Sequence, residues 1–570
     1  MNMIYEALNP RGETDPVNTI GLRPRVKDLN KITLGLLATF KGHWRPIVEE
    51  VGRQLQARYP NMKLTGYFEY TKDPNAYTEV AEIAKDPDFK PGFEKWVGGV
   101  DAAISGYGDA ASCTLYQTYN TAFVERLGKP AVVFHKRNFS NIFRRAAALR
   151  GVPAMRHVEG DIRDISSLNA DEFNKYLKEE VPQLVSVVLD DIIAALTSPP
   201  LPDEANPKGP DENLPRIAAK GDFHEINKYF YQRGWAYGMP IVPPTEDVVK
   251  EMIKGTDLPP DHVVAKLPLM NGKATVEKIA INGVMAGCLP IHMPVLIAAT
   301  QALADTRLWL EAYTCSVASW APLLIINGPI RRDLDVACGV GVFSPYNRAN
   351  AAIGNTIGLL IMNIAGVRGG YEDNGLFGHE GRFGICIGEN EEESPWEPMH
   401  QFYGFNKEDS AVTLFFPNTR QLCLYGADPE PLLKAICDDP QVFGFDPGCA
   451  FVLCPEAAKL LHRYGFSRED LTRYIVEYAR RPVSDTPVRW IKANNHALPE
   501  VVLPAEPTRS VKKFFSRKHI PILVAGMSYG NSITYYGGGG DHGGPVTHKV
   551  NLPKKWGELV EKYKDFKTQY

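Results

Sequence analysis

Between Lys31 and Leu196 the apolar positions switch repeatedly between two spacings. Lys31-Ile-Thr-Leu-Gly-Leu-Leu-Ala-Thr39 is a short apolar run, and behind it Ile47, Val48, Val51, Leu55 and Tyr59 recur at helical spacing. The first pattern predicts a buried strand and the second a helix with one apolar face. The same reading places further strands at Met62–Tyr70, Val100–Ser105 and Pro130–Phe134, with a short one at Ala154–Val158. Helices are expected over Trp44–Tyr59, Tyr77–Val97 (interrupted at Pro87 and Pro91), Thr114–Leu127, Phe139–Arg150 and Ala170–Leu196. Strand–helix alternation of this kind implies right-handed crossovers and a doubly wound parallel sheet covered on both faces. Ligands of such sheets sit beyond the carboxyl ends of the strands.

The alternation stops at a proline-rich polar stretch beginning at Ser198, which has linker composition. The expected organisation is therefore an α/β domain over 1–197, a linker over 198–215 and a larger α+β region over 216–570. In that region strands are expected at Pro322–Ile326, Phe383–Ile387, Ala411–Phe416 and Ile520–Ala525. Helices are expected at Val248–Gly255, Met293–Leu303, Ala349–Ile364 and Glu469–Arg480. No repeat is visible in the sequence.

Composition narrows the function classes. The 570 residues carry a net charge of −4 and no block of Lys or Arg, so nucleic acid is not an expected partner. No apolar stretch reaches membrane-spanning length and the N-terminal residues lack a signal-peptide core. A cytoplasmic protein is expected. Nine cysteines without a C-x-x-C pair suit neither a disulfide framework nor a thiolate zinc site.

The chemistry gathers at the predicted carboxyl ends of the strands. Val100–Ser105 runs into Gly106-Tyr107-Gly108-Asp109-Ala110-Ala111-Ser112-Cys113-Thr114, a Gly-rich turn with a cysteine where the next helix should start. A helix N-terminus favours both a thiolate and a bound anion. Lys41 and His43 follow the first strand, and His135 with Lys136 and Arg137 follows the fourth. Converging loops would place Cys113 as the reacting thiol, with His43, His135 and Asp109 for proton transfer. Lys41, Gly106, Gly108, Ser112 and Thr114 would bind a small anionic substrate. A packed, inert Cys113 in a tight turn is the alternative reading of the same residues.

The segment Gly106-x-Gly108-Asp109-Ala110-Ala111-Ser112-Cys113, followed by Ala122-Phe-Val-Glu-Arg-Leu-Gly-Lys-Pro-Ala-Val-Val133, resembles the UGSC family of selenoproteins and their cysteine homologues. That family is named for a selenocysteine-Gly-Ser-Cys motif after G-x-G-D. Its selenocysteine or first cysteine falls on Ala110 here and its glycine on Ala111, leaving Cys113 alone. The two-chalcogen redox cycle that the resemblance implies therefore lacks its first member in this loop. Segments of the C-terminal region, such as Arg233–Glu246 and Glu389–Glu397, resemble an uncharacterised bacterial group with no assigned reaction.

The C-terminal region offers weaker candidates. Arg348 and Asn350 could orient a substrate carboxylate or amide. His379, Glu380, Glu389 and His400 supply ligand types for a divalent metal ion, without a recognised spacing. Cys288 with His292 repeats the thiol-before-helix arrangement. Ile520–Ser532 reads as a strand with a Gly/Ser loop, and Gly537–Gly544, with Asp541 and His542, as a flap or loose loop. Three functions stand. The first is a lyase-type enzyme cleaving a carbon–heteroatom bond of an organic anion through Cys113. The others are a metal-dependent enzyme working from the C-terminal region and a non-catalytic binding protein. Homo-oligomerisation is expected in each case.

Overall fold

The computed structural model describes residues 3–38, 44–67, 89–161, 168, 170–209, 214–425, 428–438, 448–482, 510–512, 520–538 and 543–567. Two compact units divide the chain. The smaller holds Pro16–Asp211 with Arg481–Val511, and the larger Met1–Asp15, Glu212–Arg480 and Lys512–Tyr570. Strand β1 (Tyr5–Leu8) therefore belongs to the larger unit, although the residues after it open the smaller one.

In the smaller unit the two spacings become a parallel sheet. It contains β2 (Thr33–Leu37), β3 (Lys63–Gly66), β4 (Ala102–Gly108), β5 (Ala131–His135) and β6 (His157–Glu159), in the order β3-β2-β4-β5-β6. All four pairings are parallel. Helices α1 (Trp44–Arg58) and α5 (Val181–Thr197) pack together on one face, while α3 (Ala111–Arg126) and α4 (Ser140–Leu149) pack together on the other. Helix α2 (Phe89–Gly98) meets α3 through Phe93 and Phe123, whose rings lie 5.7 Å apart. The expected doubly wound α/β architecture is what forms, because the buried central strands are apolar on both faces.

The strand order reverses between β2 and β4, one connection leaving β2 toward β3 and the next returning across it to β4. That reversal is the topological switch point, where ligands of doubly wound sheets bind. The proline-rich stretch after α5 stays pinned to this unit at Glu204, which pairs with Arg156 at 2.8 Å and accepts at its carbonyl from Leu22 N–H at 2.9 Å.

In the larger unit β1 pairs antiparallel with β7 (Ile217–Gly221), and β8 (Val263–Leu267) with β9 (Gly272–Thr275). The core is formed by two four-stranded sheets. The first runs β11-β10-β12-β17, from β10 (Leu323–Asn327), β11 (Ile385–Gly388), β12 (Ala411–Phe415) and β17 (Val546–Lys549). The second runs β15-β14-β16-β13, from β13 (Thr419–Tyr425), β14 (Cys449–Leu453), β15 (Ile522–Val524) and β16 (Asn531–Gly537). Each has one parallel edge pair followed by two antiparallel pairings. Residues 323–425 and 449–549, the two halves of this sheet core, thus repeat one topology and exchange their last strands. The first half sends β13 into the second sheet, and the second half sends β17 into the first. The repetition lies in the order and direction of strands, which apolar runs of similar kind cannot reveal.

Candidate functional site

Strand β4 is buried along its whole length and ends in Gly108; α3 begins at Ala111. The helix starts three residues earlier than its apolar spacing suggests, so Cys113 lies within its first turn. Its N-cap is Ala110, in extended conformation, whose methyl group offers no acceptor to the first-turn N–H groups. The turn is shaped by Gly108. A Cβ there would sit 2.5 Å from Thr114 Oγ1 and 2.8 Å from the His135 Cβ. Gly108→Ala is therefore expected to destabilise the protein by about 1–3 kcal/mol, read as a lower denaturant midpoint; an unchanged midpoint would show that the turn has slack.

Asp109, Ser112, Cys113 and Thr114 are brought together in this one turn at the switch point. Asp109 is half-buried and Cys113 is 4% exposed. The Ser112 hydroxyl lies 3.9 Å from the Cys113 sulfur, and Thr114 Oγ1 donates to the Ala110 carbonyl at 3.0 Å. Lys41 and His43 lie outside the described residues.

His135 ends the neighbouring strand, but both ring nitrogens are engaged away from the thiol. Nδ1 lies 2.9 Å from the Lys136 carbonyl and Nε2 lies 2.9 Å from Nδ1 of His157. The two imidazoles are nearly coplanar in orientation, at 7°, and both pack on Phe143. Burial holds the His135 pKa below the ordinary histidine value. His157 falls to about 4, first through burial and then through repulsion from His135.

Further along α3 lie polar residues outside the expected Gly106–Thr114 site. Gln117 and Asn120 follow Cys113 at helical spacing on the same face. Gln117 is fully buried with neither amide atom hydrogen-bonded, and the Asn120 side-chain oxygen is unpartnered too. Ser105, near the end of β4, has an unbonded buried hydroxyl. Buried polar groups without partners are uncommon and call for an explanation. The available signal was the absence of an apolar stripe: Ser112, Thr114, Gln117, Thr118, Asn120 and Thr121 give α3 no polar outer face, yet all are buried.

The four proposed metal ligands do not converge. Among the described residues no group of three or more His, Cys, Asp or Glu side chains could hold a metal ion. Glu380 points to solvent, while His379 Nδ1 accepts from Gly381 N–H at 2.8 Å. His400 lies 2.9 Å from the Asn406 carbonyl through Nε2. Glu389 is fully buried and its carboxylate is filled by Arg468, Asn327 and Met399 N–H. These are structural contacts, and acidic residues in a loop gave the sequence no means of showing it.

Asn350 is likewise committed to backbone, at Ala337 and at the Cys386 carbonyl. Arg348 reaches the Gly287 carbonyl at 3.4 Å and lies over Phe566. Neither is in the unit that holds Cys113. Cys288 is buried against Thr356, 3.2 Å away, and burial pushes its thiol up to about 12. His292, which accepts from Leu289 N–H at 3.2 Å, is pushed down to about 3 by burial. That pair is packed rather than poised. Gly526, in the loop after β15, donates to the Cys338 carbonyl, and Asp541 and His542 lie outside the described residues.

The smaller unit is thus a doubly wound α/β domain with a Gly-rich turn, a helix whose N-cap Ala110 supplies no side-chain acceptor, and a cysteine at its switch point. Residues 6–190 match the model of the UGSC family, so this N-terminal part of the chain is a UGSC-family region. No curated protein and no solved structure matches the chain. No helix among the described residues is long and apolar enough to cross a membrane.

Proposed function

We propose that the chain is an enzyme acting on a small organic anion held at the start of α3, with Cys113 as the reacting thiol. The observation that carries this reading is the place of the Gly106–Thr114 turn, at the strand-order reversal of a doubly wound sheet. There the anion faces the positive end of a sixteen-residue helix. The Ala110 methyl offers the first turn no acceptor of its own, and Gln117 and Asn120 provide unspent hydrogen-bonding groups along the face that Cys113 begins. With Ala110 and Ala111 where a second chalcogen would be needed, Cys113 works singly, as nucleophile or acid–base group. Bond cleavage of the lyase type suits a lone thiol better than a thiol–disulfide cycle.

The test is substrate-blind. Purified full-length protein is incubated with a cellular small-molecule extract, and organic anions are followed by mass spectrometry. The native chain should deplete at least one anion, and Cys113→Ala should slow that depletion by about a hundredfold or more, the scale on which loss of a nucleophile or acid–base group acts. Equal depletion by both proteins, or none by either, would reject the reading.

A further inference from the structure

A second site lies on the same unit, at the edge strand of the sheet. A groove of about 640 Å³ opens beside β6, between α4, the C-terminal part of α5 and the segment that follows it. Its polar lining consists of Arg144, Arg156, His157, Asp203, Glu204 and Lys208. Arg156 and Glu204 are spent on each other, at 2.8 and 3.1 Å, and Arg156 also donates to the Ser198 carbonyl. The side chains of Arg144, Lys208 and Asp203 make no hydrogen bond or ion pair among the described residues.

His157 is oriented from behind. The Lys136 carbonyl can only accept, so His135 carries its proton on Nδ1. A neutral His135 then accepts at Nε2, and the proton between the two rings belongs to His157 Nδ1. That leaves His157 Nε2 as a bare acceptor, with no protein partner among the described residues. Arg144 acts on both imidazoles electrostatically and disfavours their protonation. Glu159 opposes it, with its nearer oxygen 4.0 Å from His157 Nδ1 and held by the Ser140 hydroxyl.

We propose that this groove binds a small carboxylate that carries an O–H or N–H donor next to its carboxyl group. Arg144 and Lys208 take the carboxylate, and His157 Nε2 accepts from the donor. Asp203, on the same groove, favours an ammonium donor over a hydroxyl. The site is separate from the Cys113 turn: its lining residues Pro153–Arg156 lead into the amino end of β6, whereas the turn follows the carboxyl end of β4.

Titration calorimetry on the full-length protein with propionate, lactate and alanine tests this, since the three differ at one substituent. Lactate or alanine should bind about tenfold or more tighter than propionate, the value of one well-made hydrogen bond. Arg144→Gln and His157→Phe should each remove about tenfold of that affinity, while Cys113→Ala leaves it unchanged. Three equal affinities, no binding, or binding insensitive to both groove variants would overturn the proposal. So would loss in Cys113→Ala alone, which would place the ligand at the other site. Arg144 is exposed and unpaired, so its variant decides the matter should His157→Phe fail to fold. A preference for alanine that disappears in Asp203→Asn would assign the donor as ammonium.

Discussion

Glu389→Ala is expected to cost the larger unit about 3–5 kcal/mol, the usual price of leaving one member of a buried ion pair behind. Glu389 is fully buried and Arg468 is 7% exposed. One carboxylate oxygen accepts from Arg468 at 2.8 Å; the other accepts from Asn327 at 2.5 Å and from Met399 N–H at 2.6 Å. Arg468 also holds the Ile522 carbonyl, at the start of β15, and the Glu397 carbonyl at 2.7 Å. The carboxylate thus ties the end of β10 and the turn after β11 to the helix that carries Arg468. Removing it strands a guanidinium and two donors where water cannot replace them. Equilibrium denaturation should show the loss. Replacing both members by apolar residues, Glu389→Leu with Arg468→Met, should recover only the part owed to the stranded guanidinium, since the Asn327 and Met399 donors stay unpaired. A single variant as stable as the parent would mean that the network contributes nothing.

Acid should weaken both units well before carboxylates titrate. His157, in the smaller unit, and His292, in the larger, have folded pKa values of about 4 and about 3, both depressed first by burial. In the unfolded chain a histidine titrates near 6.5. Above that value neither state binds the proton and the histidines have no effect on stability. As pH falls below it the unfolded chain takes up protons that the folded one refuses, so stability declines until the folded pKa is reached. At pH 5 each histidine is about 1.5 units below the unfolded value and above its folded one, which amounts to about 2 kcal/mol for each unit. Denaturation at pH 7 and pH 5 should register this, and His157→Gln should lose its share of the slope. Equal stability at the two values would show that these imidazoles charge readily in place.

The smaller unit was legible in the sequence because its strands are buried on both faces and its helices have one apolar side. Leu34 to Leu37 and Ala102 to Ser105 could hardly be anything but central strands; Gly106 to Gly108, expected in the turn, instead extend β4, because strand pairing rather than composition sets where a strand ends. The Gly106–Thr114 turn was legible for the same reason, since a strand's end and a helix's start bracket it. The use of His135 was not. Whether a histidine at a strand end turns toward the thiol or toward His157 is decided by side-chain packing against Phe143, a long-range contact without local trace. Glu389 was misjudged because burial of a carboxylate depends on Arg468, seventy-nine positions away. Gln117 and Asn120 were not legible either, because a polar residue on a helix carries no local mark of whether that face is buried.

The strand exchange in the larger unit has a consequence for how the chain must assemble. The first sheet closes on β17, residues Val546–Lys549, so the edge at β12 stays open until the whole of the second sheet has been made. The second sheet, conversely, borrows β13, a strand synthesised before any of its other members. Neither half can complete its hydrogen bonding alone, and an unpaired edge is a template for wrong partners. Contacts so distant in sequence form slowly. The larger unit therefore resembles two interlocked copies of one sheet joined by a single chain. A nick between β13 and β14 should leave fragments that fold only in each other's company.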